Sequence, residues 1–492
     1  MRKDSNQNWR PPIVVVLGHV DHGKTTLLDY IRKTNIAGRE AGGITQSIGA
    51  YEIEHRTSNA EPSRRITFID TPGHEVFSKM RSRGAGIADL AILVVAGDEG
   101  IKPQTKESIT ILAETKTPFV VAITKIDKPG ANIENIKNEL TGAGVLLEGF
   151  GGQVSYQPVS AKTGQGVTEL LDLILLTAEL ENLTYDPAGA ASGYVLETKV
   201  DRRRGLEGTV IVKNGTLKSG HCIATPTAGG RIKILENFLG QPVQELVPSA
   251  PALIIGFETL PQIGEEFSVV GELETRNSAI KANQPRKTGA TTIPEETPML
   301  RLILKASDSG SLEALSEIFK SLAQQKPIKI LGESVGDVSD NDVKFAISTQ
   351  AVIIAFRSRT EKTPQYLAEA NKIKIISSNI IYELLTAIEE FLVQLEKPAP
   401  VGVLTVLAIF NESKPQRQVV GGRVESGVFK NKTGFDIERE GTVIGSGRTL
   451  NLQQQKKDSV EVSAGKEAGL LVSSEMMLKT GDTLVIPAKK EK

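Results

Sequence analysis

The apolar residues of this chain follow two patterns, and the pair occurs twice. Through residues 13–181, short unbroken apolar runs alternate with stretches of helical spacing. The runs are IVVVL at 13–17, ITFI at 66–69, AILVV at 91–95 and FVVAI at 119–123. Continuous β-branched runs bounded by turns predict parallel strands buried on both faces. Residues 12–182 therefore read as a doubly wound α/β domain. Residues 190–272 change character, with short strands, frequent glycine and no helical spacing, and predict a small β-barrel. A polar stretch covers 272–298. Strand-like runs then return at 302–304, 328–331, 352–355 and 373–376, each followed by a helical pattern. Residues 299–379 thus form a second, smaller α/β domain. A helix over 380–397 carries Ile381, Leu384, Leu385, Ile388, Leu392 and Leu395 on one stripe, and Pro398 and Pro400 end it. Residues 400–488 are all-β again. Residues 208–220 resemble 422–432, and 263–267 resemble 480–484. This is a weak repeat, and two unrelated barrels would produce as much.

A chain of 492 residues exceeds a single hydrophobic core. With 39% hydrophobic and 24% charged residues it is of the globular class, and a net charge of -1 supplies no global attraction for nucleic acid. Any nucleic-acid partner has to be met by local patches. One cysteine, Cys222, can form no internal disulfide and fits a reducing compartment. The polar first ten residues lack a signal-peptide core, and no apolar run approaches a membrane span. We expect a cytoplasmic monomer without a membrane partner.

Four motifs converge on one ligand. Gly18, His19, Val20, Asp21, His22, Gly23, Lys24 and Thr25 follow the first strand and precede a helix beginning at Thr26. This is the spacing of a phosphate-binding loop. Its glycines let the backbone amides turn inward, and the helix N-terminus faces the phosphates. Lys24 should reach the β- and γ-phosphates, and the Thr25 hydroxyl should bind Mg²⁺. Asp70, Thr71, Pro72, Gly73 and His74 end the second strand. Here Asp70 is placed to hold Mg²⁺ through water, Gly73 to offer its amide to the γ-phosphate, and His74 to lie near the attacking water. Thr124, Lys125, Ile126 and Asp127 follow the fourth strand. The Asp127 carboxylate can accept from guanine N1–H and N2–H₂, a pair adenine lacks. Ser160, Ala161 and Lys162 provide a loop whose backbone can support the guanine carbonyl. In this order the four point to GTP and GDP rather than ATP.

These motifs resemble the G domains of translational GTPases. Residues 41–51 (AGGITQSIGAY), Arg10-Pro11-Pro12, residues 80–85 (MRSRGA), and residues 304–306 (LKA) with 310–315 (GSLEAL) are similar to bacterial-type translation initiation factor 2. The resemblance covers nearly the whole chain. It implies that Thr45 closes on Mg²⁺ and the γ-phosphate, that Val20 and Ile44 gate the catalytic water, and that His74 orients it once the ribosome opens the gate. Asp21 becomes a candidate for holding a monovalent cation near the phosphates. His19 and His22 are read instead as loop geometry and surface polarity.

The resemblance further implies an initiation factor that cycles between GTP and GDP. It would favour formylated initiator tRNA on the small ribosomal subunit, promote subunit joining and leave on hydrolysis. An elongation-type tRNA carrier would place barrels, not a second α/β domain, after the first barrel. A nucleotide-gated binding protein without hydrolysis would not need His74. Three departures qualify the expectation. Thr124 stands where the family has asparagine, the family's long N-terminal extension is expected to be missing, and the last barrel has Gly422 and Ala468 where the family has cysteines. Those changes are read as removing thiols that pack against a methionine thioether. Residues 401–492 are only mildly basic. Lys414, Arg417 and Arg423 are candidate phosphate contacts or a solvated face, and Glu467 either meets the aminoacyl end of the tRNA or faces water.

Overall fold

The computed structural model describes residues 8–33, 48–56, 63–271, 299–396, 400–411, 415–439 and 442–487. Ile44, Thr45 and Lys414, and the side chain of Leu395, lie outside the described residues. The chain divides into two compact units, Met1–Leu385 and Thr386–Lys492.

The first α/β layer follows from the apolar runs. Strands β1 (Ile13–Gly18), β2 (Gly49–His55), β3 (Arg64–Asp70), β4 (Leu90–Ala96), β5 (Phe119–Thr124) and β6 (Tyr156–Pro158) form one sheet in the order β2-β3-β1-β4-β5-β6. All neighbours are parallel except β2, which pairs antiparallel with β3 from Gly49↔Asp70 to His55↔Arg64. Helices α1 (Lys24–Arg32), α2 (Ser78–Ile87), α3 (Pro103–Thr115), α4 (Ile133–Gly142) and α5 (Val167–Leu180) connect the strands. β1 and β4 are buried along their whole length, as central strands covered on both faces must be. Ligand-bearing loops in such a sheet leave the carboxyl ends of the strands, and that is where β1, β3 and β5 deliver Gly18, Asp70 and Thr124.

A closed barrel follows. Its strands are β7 (Ser192–Asp201), β8 (Gly205–Asn214), β9 (Cys222–Ala224), β10 (Gly229–Asn237), β11 (Pro251–Phe257) and β12 (Glu266–Val269), in the ring order β7-β8-β11-β10-β9-β12. The second α/β layer is a parallel sheet of β13 (Leu300–Ala306), β14 (Ile328–Val335), β15 (Val352–Phe356) and β16 (Ile375–Ser378), ordered β14-β13-β15-β16. Helices α6 (Ser309–Ala323), α7 (Asp340–Thr349) and α8 (Lys362–Ala370) join its strands. Helix α9 (Ile381–Glu396) comes next, with Ile381, Leu384, Ile388 and Leu392 buried. The division between the two units falls within it.

The second unit carries β17 (Gly402–Asn411), β18 (Gln418–Lys430), β19 (Gly434–Arg439), β20 (Thr442–Gln454), β21 (Glu467–Ser474) and β22 (Thr483–Ile486). Their order is β17-β22-β19-β20-β21-β18, closed by β17 pairing with β18. Taken first to sixth along the chain, these strands repeat the ring order of the first barrel. In both, a glycine at positive φ, Gly264 at 84° and Gly481 at 94°, turns the chain into the sixth strand. The weak sequence repeat therefore marks equivalent positions of one topology.

Candidate nucleotide site

The phosphate loop is shaped by what its glycines allow. Gly18 has φ 145°, and a Cβ there would collide with the Val94 carbonyl of β4. Gly23, at φ 87°, caps α1 in a left-handed conformation, and Asp21 also takes positive φ, at 62°. Lys24 is buried and donates from Nζ to the carbonyls of Gly18 at 2.8 Å and His19 at 2.5 Å. Burial pushes its pKa down to about 8, with Asp70 opposing the shift. The Val20 amide donates to Gln104 Oε1 of α3 at 2.8 Å, which ties the loop to its neighbouring helix. Thr25 is half-buried, and Thr26 and Asp21 are exposed.

His22 corrects its assignment to surface polarity. Its side chain is 0% exposed, and Nδ1 accepts from the Ala96 amide at 3.3 Å. Burial lowers its pKa to about 4, so the ring is neutral. His19 stands edge-on to it, with ring centroids 5.0 Å apart. The two rings thus pack against each other, and His22 lies inside the domain, not on its surface.

The loop after β3 meets the phosphate loop through Gly73. A Cβ at 73 would crowd Lys24 Nζ and lie 3.2 Å from Val20 Cγ2, so the two loops approach closely at this glycine. Asp70 is buried at the end of β3, and the Thr71 hydroxyl donates to the Val16 carbonyl at 2.9 Å. The feature missed by sequence reasoning is Arg81 of α2, which is 0% exposed. It donates to the carbonyls of Pro72, at 3.0 Å, and His74, and forks onto both oxygens of Glu107 of α3 at 2.6 and 2.7 Å. One guanidinium thus holds the backbone on either side of Gly73. His74 begins a short 3₁₀ turn, Glu75–Phe77, and burial lowers the pKa of its imidazole.

The two base loops also meet. Asp127 is exposed and accepts from the Ser160 hydroxyl at 2.7 Å, a bond that holds the carboxyl below the usual range. Ser160 is buried and in turn accepts from the Thr163 amide at 3.2 Å. Thr124 sends its hydroxyl to the His22 carbonyl at 2.5 Å, linking the base loop to the phosphate loop despite the missing asparagine. Lys125, at φ 58°, reaches Glu99 at 2.8 Å, while Ala161 is half-buried and Lys162 exposed. Among the described residues no three His, Cys, Asp or Glu side chains gather to hold a metal. Mg²⁺ beside nucleotides takes one or two protein oxygens together with phosphate oxygens and waters, and the Thr25 hydroxyl and Asp70 carboxylate are oxygen donors of that kind.

Comparison with known proteins decides the family. Residues 10–179 match the elongation factor Tu GTP binding domain, 190–270 match elongation factor G domain 2, and 274–389 match translation-initiation factor 2. The translation initiation factor IF-2 of Rubrobacter xylanophilus is 38% identical over 96% of this chain and 71% of its own length. The chain belongs to the translation initiation factor IF-2 family. The IF-2 of Aquifex aeolicus is 39% identical over 96% of this chain, which spans 60% of that relative's length. The crystal structure of GDP-bound aIF5B from Aeropyrum pernix is 28% identical, with TM-score 0.47, over 97% of this chain and 92% of that one. The first domain of this IF-2 family member is thus a GTP-binding domain, and the four motifs belong to it.

In the last barrel, Arg423 and Glu467 are both exposed cross-strand partners on β18 and β21, and Arg417 is exposed just before β18. Gly422 and Ala468 are the next pair, Ala468 is buried in the barrel core, and a Cβ at 422 would collide with Leu404. Both positions face inward, because neighbours on a strand alternate faces. Their changes therefore bear on the packing of the barrel.

Proposed function

We propose that this chain is a GTP-dependent initiation factor that promotes initiator tRNA binding to the small ribosomal subunit and subunit joining, and hydrolyses GTP for its release. The observation that carries the reading is the closure of the Gly73 loop on Lys24 and Val20 in a member of the IF-2 family. A γ-phosphate between these loops gains the Gly73 amide and the Lys24 ammonium together, and hydrolysis removes both at once. Asp127 and Ser160 select guanine, because a base without the N1–H and N2–H₂ pair leaves the carboxylate unmatched.

His74 orients the attacking water, with Val20 and Ile44 as its apolar gate. Thr25, Thr45 and Asp70 would hold Mg²⁺, which would neutralise charge on the β- and γ-phosphates. A monovalent cation beside Asp21 is the remaining ionic element of this reading. In the last barrel, Glu467 and Arg423 meet the formylated aminoacyl end, and Arg417 and Lys414 meet tRNA phosphates. With so few phosphate contacts, binding should depend only shallowly on salt. The factor acts as a cytoplasmic monomer with ribosomal subunits as its partners. Light scattering of subunit joining tests the role. GTP with formylated initiator tRNA should accelerate joining over GDP, and equal rates would contradict the reading. A salt titration of tRNA binding should favour the formylated form, and equal affinities would remove the last barrel from initiator selection.

A further inference from the structure

His74 makes one side-chain contact that the nucleotide motifs do not explain. Tyr382, in the first turn of α9, places its hydroxyl 2.7 Å from His74 Nδ1. The two rings lie 4.6 Å apart at their centroids, tilted by 47°. The turn that carries Tyr382 is well seated. The Ile380 amide donates to Ser378 Oγ at 2.9 Å, and Ile381 and Leu384 on either side of Tyr382 are buried. Burial, with Glu75 nearby, raises the pKa of the tyrosine, so its hydroxyl keeps its proton at neutral pH. A hydroxyl can donate to a neutral imidazole nitrogen and accept from a protonated one, so the bond survives either state of the ring. The His74 backbone is held separately, by Arg81 on its carbonyl. What the tyrosine decides is the direction of the side chain alone.

We propose that Tyr382 is a positioning residue for His74, parking the imidazole against α9 until the first turn of that helix releases it. The proposal rests on the reading of His74 as the group that orients the attacking water. Hydrolysis then depends on the seating of the helix from which the chain runs on into the last barrel. In the absence of ribosomes the latch is a brake. On joined subunits, where the imidazole must already be free, it has no effect.

The test uses the full chain as wild type, Tyr382→Phe, His74→Ala and the double variant. Phenylalanine keeps the ring and removes only the hydroxyl. Losing one such hydrogen bond should raise ribosome-free, single-turnover GTP hydrolysis about threefold to tenfold. Affinity for a fluorescent GTP analogue and the rate with joined subunits should stay unchanged. The rise should vanish in the His74→Ala background, because a residue acting through His74 cannot act without it. An unchanged or slower ribosome-free rate, or a rise that persists without His74, would overturn the proposal. A second readout needs no catalysis. The chain has five histidines, and the imidazole NMR signal lost in His74→Ala identifies His74. That signal should move in Tyr382→Phe, and an unmoved signal would overturn the latch. If the wild type hydrolyses no GTP even with joined subunits, the functional reading fails while the spectrum still decides the contact.

Discussion

Replacing Arg81 should disable hydrolysis while sparing nucleotide binding. The side chain is fully buried, and its four hydrogen bonds join two carbonyls of the Gly73 loop to the Glu107 carboxylate. Hydrogen bonds from a charged donor contribute roughly 1.5–3 kcal/mol each, and breaking a buried ion pair costs about 3–5 kcal/mol. Glu107 is partly exposed and can turn to water, so the lower end applies, and Arg81→Ala should cost about 3 kcal/mol. Much of that cost falls on the loop carrying Gly73 and His74, which loses its only guanidinium clamp among the described residues. A water-orienting histidine set loose forfeits about 10²-fold of its effect. Lys24 and the phosphate loop keep their own contacts, so GTP affinity should change less than about fivefold, or roughly one neutral hydrogen bond. Because Arg81→Ala risks unfolding the domain, Arg81→Lys serves as a second variant. Its ammonium keeps the charge but cannot fork onto Glu107 and reach both carbonyls. The assay is single-turnover hydrolysis with joined ribosomal subunits, beside fluorescent-nucleotide titration and thermal melting. A folded Arg81→Lys chain that hydrolyses GTP within about threefold of wild type, well short of the 10²-fold expected, would refute the reasoning.

Asp127→Asn should shift preference from GTP to xanthosine triphosphate. The Asn oxygen can keep the Ser160 bond while the amide donates to the xanthine carbonyl, and an unchanged preference in competition binding would remove Asp127 as the reader. Thr124→Val deletes the hydroxyl that bonds the His22 carbonyl and should weaken GTP binding about fivefold, as befits one buried hydrogen bond; unaltered affinity by titration would show that the link does not matter. Glu197→Gln tests a buried carboxylate that accepts from the Gly310 and Thr198 amides and whose pKa is pushed up to about 8, chiefly by burial and then by Asp308. The folded chain holds this proton between the usual carboxylate range and about 8, so stability is full below that window and is lost as pH rises through it. The glutamine variant should gain about 2–4 kcal/mol on the wild type between pH 5 and 8 in urea unfolding, and parallel pH profiles would contradict this.

Much of the fold is legible in the sequence because the central strands are buried on both faces, which leaves runs such as 13–17 and 91–95 without a polar interruption. β2 is harder to read. It is an edge strand with one deeply buried side chain, Tyr51, so neither a run nor a clean alternation marks it. The nucleotide motifs are legible because phosphate and guanine chemistry restrict residue type at fixed spacing. Arg81 and His22 are not, because their burial arises only when α2 packs on α3 and β4 packs under the phosphate loop. The Tyr382–His74 contact joins residues that no local pattern connects. The inward direction of positions 422 and 468 depends on the barrel's register, and a motif match carries no information about register.

The proposed function requires GTP hydrolysis that answers to the assembled ribosome through His74. Its most direct test is single-turnover GTP hydrolysis by the full chain and by His74→Ala, with no ribosomes, small subunits, large subunits and the two joined. Hydrolysis should be slow until the subunits join and strongly stimulated then, and His74→Ala should lose about 10²–10⁴-fold of the stimulated rate with GTP binding retained. A wild-type rate indifferent to joined subunits, or a stimulated rate that survives without His74, would contradict it.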